Sequence, residues 1–225
     1  MNIDNGYKEL EKLINHRFNN SNLIITALSH SSYRNEKQTH EDYERLEFLG
    51  DAVLELTVSE FLYKENPNMK EGDMTKMRAS LVCEQTLAFC AMDIELSRFI
   101  LLGKGEEKTG GRSRDSIISD VFEALIGALF LDQGFDAAKD FITRYVLNDY
   151  RNKIEFSDSK TTLQEYVQDK KYDIEYVLVK EAGPDHDKQY TVDVLINNKV
   201  CGSGTGSSKK RAEQRAAYEA LKTFK

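Results

Sequence analysis

The segment Ile117 to Phe130, IISDVFEALIGALF, constrains this chain more than any other. Wound as a helix it is apolar nearly all round, so it belongs inside a protein rather than on its surface. It nevertheless carries Asp120 and Glu123 at i and i+3, which puts both carboxylates on one face. Ser116, Ala124 and Gly127 share that face, and their small size lets a second helix approach closely. A buried, unpaired carboxylate is costly and calls for a cation or a proton. Two answers are open at this point: structural ion pairs, with Arg45, Arg78 or Arg114 as candidates, or a bound metal ion.

A second acidic stripe lies upstream, in a helix predicted from Tyr43 to Tyr63. Glu44, Glu47, Asp51 and Glu55 fall within an arc of ~80° at helical spacing, and Leu46, Leu49, Val53 and Leu56 fall opposite. An ordinary solvated helix has the same pattern. Two details speak against that reading. The acids are not interleaved with Lys or Arg, although like charges at these spacings repel. Phe48 sits beside them, away from the core side, where an exposed aromatic suggests a partner surface. If the two acidic faces meet, Glu47, Asp51, Asp120 and Glu123 crowd four carboxylates into one site. Hard oxygen donors of this kind suit Mg²⁺ or Mn²⁺ rather than Zn²⁺. Such an ion binds phosphate oxygens and activates water. His16, His30, His40 and His186 are scattered, and none pairs with a Ser or Cys as covalent catalysis would require.

Only Pro67 and Pro184 interrupt the 225 residues. Further helices are predicted over Met74 to Phe89, Ile117 to Leu131 and Asp136 to Tyr150. Gly103 to Arg114, GKGEEKTGGRSR, reads as a mobile loop. The pattern changes after Tyr150. Residues 151–159 are polar and weakly periodic, as a linker would be. A helix from Thr161 to about Lys170 follows, then strands over Ile174 to Lys180, Gln189 to Ile196 and Lys199 to Gly204, then a helix from Ser208 to about Thr223. The expectation is an all-α domain over residues 1–150 and a small α-β-β-β-α domain over residues 160–225.

The net charge of −7 argues by itself against a nucleic-acid partner, because phosphate contacts need Lys and Arg. The average hides an asymmetry: Ser157 to Lys225 holds 12 basic and 11 acidic residues, whereas the preceding 156 residues carry a net −8. Such a split suggests two tasks. Cys83, Cys90 and Cys201 have no CxxC spacing, which speaks against a disulfide framework or a zinc site. There is no apolar run of eighteen residues and no basic, apolar leader, so the expectation is a cytoplasmic protein with no membrane partner and no organic cofactor.

In the small domain Ser207 or Ser208 is positioned to cap the last helix. Lys209, Lys210 and Arg211 follow at once. The helix dipole disfavours cations at an N-terminus, so bases placed there suggest an anion to meet, and helix N-termini suit phosphate. Gly183-Pro184-Asp185-His186 is a turn with His186 at its tip. Gln164 and Gln168 stand one turn apart on the preceding helix, within reach of minor-groove edges and 2′-hydroxyls. Together these elements suit recognition of A-form RNA by shape. Asp169, Asp173, Asp185 and Asp187 dilute the positive field, so salt-sensitive binding is expected.

ERLEFLGDAVLEL at Glu44 to Leu56, EGDMTKMRASLV at Glu71 to Val82 and SIISDVFEALIGALFLD at Ser116 to Asp132 resemble the three motifs of the bacterial ribonuclease III endonucleases. KTTLQEY, GPDH and GTGSSKKRAEQRAA, within Lys160 to Lys225, resemble the double-stranded-RNA-binding domain. The resemblance implies a homodimeric, Mg²⁺-dependent nuclease (with Mn²⁺ as substitute) in which each subunit cuts one strand of duplex RNA, leaving 5′-phosphates and short 3′ overhangs. Ribosomal RNA precursors and structured messenger RNA would be its substrates. Carried over by position, Glu47, Asp51, Asp120 and Glu123 bind metal, Asp51, Glu123, Glu44 and Glu71 serve catalysis, and Glu44 and Glu71 lie near the dimer edge. Phe48 would enter a socket on the partner subunit. Gln164, Gln168, His186, Lys209, Lys210 and Arg211 would contact RNA. Tyr43 departs from the Asn that relatives often carry there, and is expected to affect substrate or loop packing rather than metal binding. The residues also admit a duplex-RNA-binding regulator without catalysis, or a helical protein whose acidic face is merely solvated.

Overall fold

The computed structural model describes residues 3–38, 41–183 and 188–224. It divides into two compact units, Met1–Tyr150 and Arg151–Lys225. The first is helical: α1 (Ile3–Leu13), α2 (Ser21–Ala27), α3 (Ser31–Lys37), α4 (Glu44–Glu65), α5 (Glu71–Val82), α6 (Glu84–Cys90), α7 (Lys104–Lys108), α8 (Asp115–Gln133) and α9 (Phe135–Ile142). The apolar α8 is the centre of this unit, with Val121, Phe122, Leu125, Ile126 and Leu129 fully buried. Side chains of this size each contribute roughly 1.5–3 kcal/mol on leaving water. Phe122 packs on Phe141 of α9 with ring centroids 5.2 Å apart.

α4 lies directly against α8, and glycine decides how closely. A Cβ added to Gly50 would collide with the backbone carbonyl of Glu123, and one added to Gly127 with that of Leu46. Backbone therefore meets backbone, and the residues one turn either side are drawn together. Below this crossing, the Asp132 carboxylate accepts from the amides of Asn19 (2.7 Å) and Asn20 (2.8 Å), fixing the start of α2 to the end of α8.

Several elements differ from the expectations drawn from the sequence. The helix expected over Met74 to Phe89 is two helices, because Cys83 is extended (φ −73°, ψ 154°) and the Thr86 hydroxyl donates back to the Ser80 carbonyl (2.6 Å). The last helix of this unit ends at Ile142 and unwinds into a π-turn, Thr143–Leu147. Leu56, placed on the core side by its spacing, is 60% exposed. The glycine-rich stretch from Gly103 to Arg114 is ordered: it contains α7 and a 3₁₀ turn, Gly111–Ser113. Arg112 donates to the carbonyls of Ser97 (2.6 Å) and Ile100 (3.0 Å), and Arg114 pairs with Glu106 (2.8 Å). Arginine bonds thus hold a segment whose local composition favours a loop.

The second unit has the order α10 (Tyr150–Asp169), β1 (Ile174–Ala182), β2 (Gln189–Ile196), β3 (Lys199–Gly206) and α11 (Lys209–Lys222). The strands form one antiparallel sheet in the order β1-β2-β3. Residues 151–159 are helical rather than an irregular linker. Gln214 of α11 donates its side-chain amide to the carbonyls of Phe156 (2.6 Å) and Ser157 (2.7 Å), and Phe156 packs edge-on against Tyr218 at 5.6 Å. These bonds supply what the weak apolar periodicity of the segment lacks. Leu163 and Val167 of α10, Val194 and Ile196 of β2, and Ala216, Ala217 and Ala220 of α11 form the core. Gly202, Gly204 and Gly206 alternate along β3 and face α11 so closely that any Cβ would strike it. Period-two glycines and alanines at 212, 216 and 220 therefore let a helix lie on a bare strand.

Gly50→Ala is expected to lower the unfolding free energy of the first unit by at least about 2 kcal/mol, because the intruding methyl meets backbone that has no rotamer to yield. Urea denaturation of the variant beside the parent measures this.

Candidate functional site

The α4–α8 crossing builds the site. Leu46 and Gly50 on α4 meet Glu123 and Gly127 on α8, so the acids flanking these residues converge. Glu123 is pushed up to about 8, first by burial and then by the charges of Asp51, Glu47 and Asp120. Glu47 is pushed up to about 7, again by burial and then by Asp120, Glu44 and Asp51. Burial also raises Asp51, with Glu55 adding to it, and Asp120, where a hydrogen bond from Tyr43 opposes the rise. Glu123 thus feels the charges of Glu47, Asp51 and Asp120, and Glu47 those of Asp51 and Asp120.

The ion-pair alternative fails. Arg114 is engaged by Glu106, and Arg78 by the Ser59 hydroxyl (3.0 Å) and Glu55 (4.0 Å). Arg45 is exposed on α4. Among the described residues, neither Asp120 nor Glu123 forms an ion pair with a lysine or arginine. The donor set is all carboxylate oxygen, which is what a hard divalent cation requires. Among the described residues no three such groups are already gathered as ligands about one point. The residues fit a divalent cation.

Glu44 is exposed in the first turn of α4, and its charge raises Glu47. Glu71 opens α5, exposed, with Oε1 accepting from the Thr75 hydroxyl (2.9 Å). Among the described residues Glu71 has no hydrogen bond to the four acids. Phe48 is 80% exposed on α4. Tyr43, singled out in the sequence only as a departure from the family pattern, also reaches the site. The expectation for it was substrate or loop packing, yet its hydroxyl donates to Asp120 Oδ2 at 3.2 Å. A hydroxyl reaching across 77 positions leaves no local signal.

In the second unit Gln164 and Gln168 are both exposed on α10. Ser208, not Ser207, caps α11: its hydroxyl accepts from the amide of Arg211 (3.2 Å). Lys209 and Lys210 stand exposed in the first turn. Arg211 is only half-exposed and turns back to donate to the Ser207 hydroxyl (2.8 Å). Lys160, from the motif that opens this unit, is spent on structure, pairing with Glu213 (2.6 Å) over the Tyr176 ring. His186 lies outside the described residues.

The chain thus joins a helical unit that holds uncompensated carboxylates to an α-β-β-β-α unit with a basic helix terminus. Residues 20–150 match the ribonuclease-III-like family, and residues 159–223 match the double-stranded RNA binding motif. The chain is 49% identical over 221 residues to ribonuclease 3 of Bacillus licheniformis, covering 96% of this chain and 88% of that protein. It is 50% identical over 220 residues to ribonuclease 3 of Oceanobacillus iheyensis, covering 95% and 96%. The solved nuclease domain of ribonuclease III from Campylobacter jejuni is 42% identical with a TM-score of 0.59, covering 62% of this chain and 95% of that one. The chain belongs to the ribonuclease III family and is an endoribonuclease of double-stranded RNA. That membership carries a general requirement for a divalent metal.

The raised carboxyls have a consequence for stability. A carboxyl whose folded pKa lies above its ordinary 4.5 holds its proton more tightly folded than unfolded. The metal-free protein keeps that contribution below about pH 4.5 and loses it as pH rises through about 7 and 8, the values reached by Glu47 and Glu123. In EDTA, Glu123→Gln should therefore stabilise the protein at pH 8, by on the order of 1–3 kcal/mol after allowance for solvent screening, and by little at pH 5. Thermal unfolding at the two pH values tests this.

Proposed function

We propose that Glu47, Asp51, Asp120 and Glu123 bind Mg²⁺, with Mn²⁺ able to substitute, and that this cluster hydrolyses phosphodiester bonds in duplex RNA. The observation that carries the reading is the convergence of four carboxylates without a lysine or arginine partner for the two on α8. When bound, a divalent ion supplies the charge that activates water and neutralises the departing oxygen. Asp51 and Glu123 serve the reaction most directly, with Glu44 and Glu71 as further acids near a dimer edge. Their carboxylates accept protons from attacking water and orient it through hydrogen bonds.

The protein acts as a homodimer, with Phe48 as the anchor on the partner subunit. A largely exposed phenylalanine beside a charged site supports this, as does the description of the Campylobacter nuclease domain as having a region involved in dimer formation. Each subunit cuts one strand, and the products carry 5′-phosphates and short 3′ overhangs. Ribosomal RNA precursors and structured messenger RNA are its substrates, in the cytoplasm. Residues 160–225 hold the duplex. Gln164 and Gln168 reach the minor groove, His186 a neighbouring groove, and Lys209, Lys210 and Arg211 the phosphates.

Incubation with labelled duplex RNA is expected to give cutting in Mg²⁺ and none in EDTA, with Glu123→Gln slowing cleavage at least about 100-fold. Retention of uncut RNA in Mg²⁺ would instead favour a binding protein without catalysis. Lys209→Ala combined with Lys210→Ala should weaken duplex binding. It should also make the slope of log K against log salt shallower by about 2, one for each phosphate no longer neutralised. Gel retardation across a salt series measures both effects.

A further inference from the structure

Tyr43 joins the two halves of the acid cluster through both its backbone and its side chain. Its carbonyl accepts from the amides of Leu46 and Glu47 (both 2.9 Å), so it starts the helix that carries Glu47 and Asp51. Its own amide donates to the Ser29 carbonyl (2.9 Å). That loop is pinned in turn, since the His30 amide donates to the Leu101 carbonyl (3.0 Å) and the Leu101 amide to that of Leu28 (2.7 Å). The Tyr43 ring is 5% exposed and packs against His30 with ring centroids 5.7 Å apart. The His30 ring is held by the Ser32 amide, which donates to its Nδ1 (3.1 Å). Next to Tyr43, Asp42 is clamped by Arg34 (2.6 Å) and accepts from the Glu44 amide (3.2 Å). The phenol therefore has little freedom to move. Its hydroxyl reaches Asp120 Oδ2 on α8 (3.2 Å).

We propose that Tyr43 is a positioning residue, whose hydroxyl occupies Asp120 Oδ2 and turns the other oxygen toward the cluster, and that it thereby sets the affinity of the site for a divalent cation. The inference rests on the reading of Asp120 as a metal-binding acid. A phenol carries its proton at neutral pH and so stands as an O–H donor to the carboxylate. A carboxylate ligand with a fixed outer partner loses less freedom on binding a cation than one that swings freely. Among the described residues, the Tyr43 hydroxyl is the only side chain outside α8 that donates a hydrogen bond to Asp120, so no other element shares this task.

The test is calorimetric titration of Mg²⁺ and of Mn²⁺ into the RNA-free full-length protein, for the parent, Tyr43→Phe, Asp120→Asn and the double variant. Tyr43→Phe keeps the ring and its packing on His30, so its thermal unfolding in EDTA should stay near that of the parent. Its cation affinity should fall roughly tenfold. In duplex cleavage the half-saturating Mg²⁺ concentration should rise by a similar factor, and by more than the maximal rate falls. Asp120→Asn should weaken the cation more, and the double variant should be no weaker than Asp120→Asn alone. Unchanged affinity in Tyr43→Phe, with affinity lost in Asp120→Asn, would overturn the proposal while leaving the metal site standing. Unchanged affinity in Asp120→Asn would overturn the reading of Asp120 itself. A Tyr43→Phe loss that adds to that of Asp120→Asn in the double variant would show that Tyr43 acts by another route, which also overturns the proposal.

Discussion

The approach of α4 to α8 governs the first unit, and glycine makes that approach possible. Gly50 faces the carbonyl of Glu123, and Gly127 faces that of Leu46. Because the helices touch along their backbones, side chains on either flank of the crossing are brought into one small region. Those flanks carry Glu47 and Asp51 on one helix and Asp120 and Glu123 on the other. Partial burial then takes water from Glu47, Asp120 and Glu123, while Asp51 stays exposed, and neighbouring carboxylate charges raise Glu47 and Glu123 further. Packing that stabilises the unit thus creates the electrostatic tension of the site, which a bound cation would relieve.

The second unit uses the same device in another form. Gly202, Gly204 and Gly206 leave the inner face of β3 bare, and the alanines of α11 settle on it. The helix is held where its first turn stands exposed, with Ser208 satisfying one orphan amide and Lys209 and Lys210 standing beside the rest. Lys160, equally basic in the sequence, is paired with Glu213, while Arg211 gives one of its donors to the Ser207 hydroxyl. Positive charge near a helix end therefore divides into residues that brace the fold and residues that remain available to an anion.

Much of this is legible in the sequence where a signal is local and periodic. The apolar α8, the acidic stripe of α4, the three strands and the basic start of α11 each follow from spacing within one element. Where tertiary interactions override local preference, spacing misleads. Residues 151–159 form a helix because Gln214 and Tyr218 hold them, and Gly103 to Arg114 is ordered because Arg112 and Arg114 find acceptors outside their own turns. Leu56 sits at an apolar position by count, yet the turn of α4 leaves it exposed.

The sequence by itself determined which residues could form the site: two acidic faces at helical spacing, and small residues that permit a close crossing. It also determined that the chain falls into two units of different class, since the hydrophobic period changes after Tyr150. Only the tertiary structure decided that Gly50 is the partner of Gly127, that no arginine answers Asp120 or Glu123 among the described residues, and that Tyr43 reaches Asp120 across 77 positions. The reason is physical. Period and composition report the environment of one element, whereas the meeting of two elements depends on the shape of both, and no residue count along the chain encodes that shape.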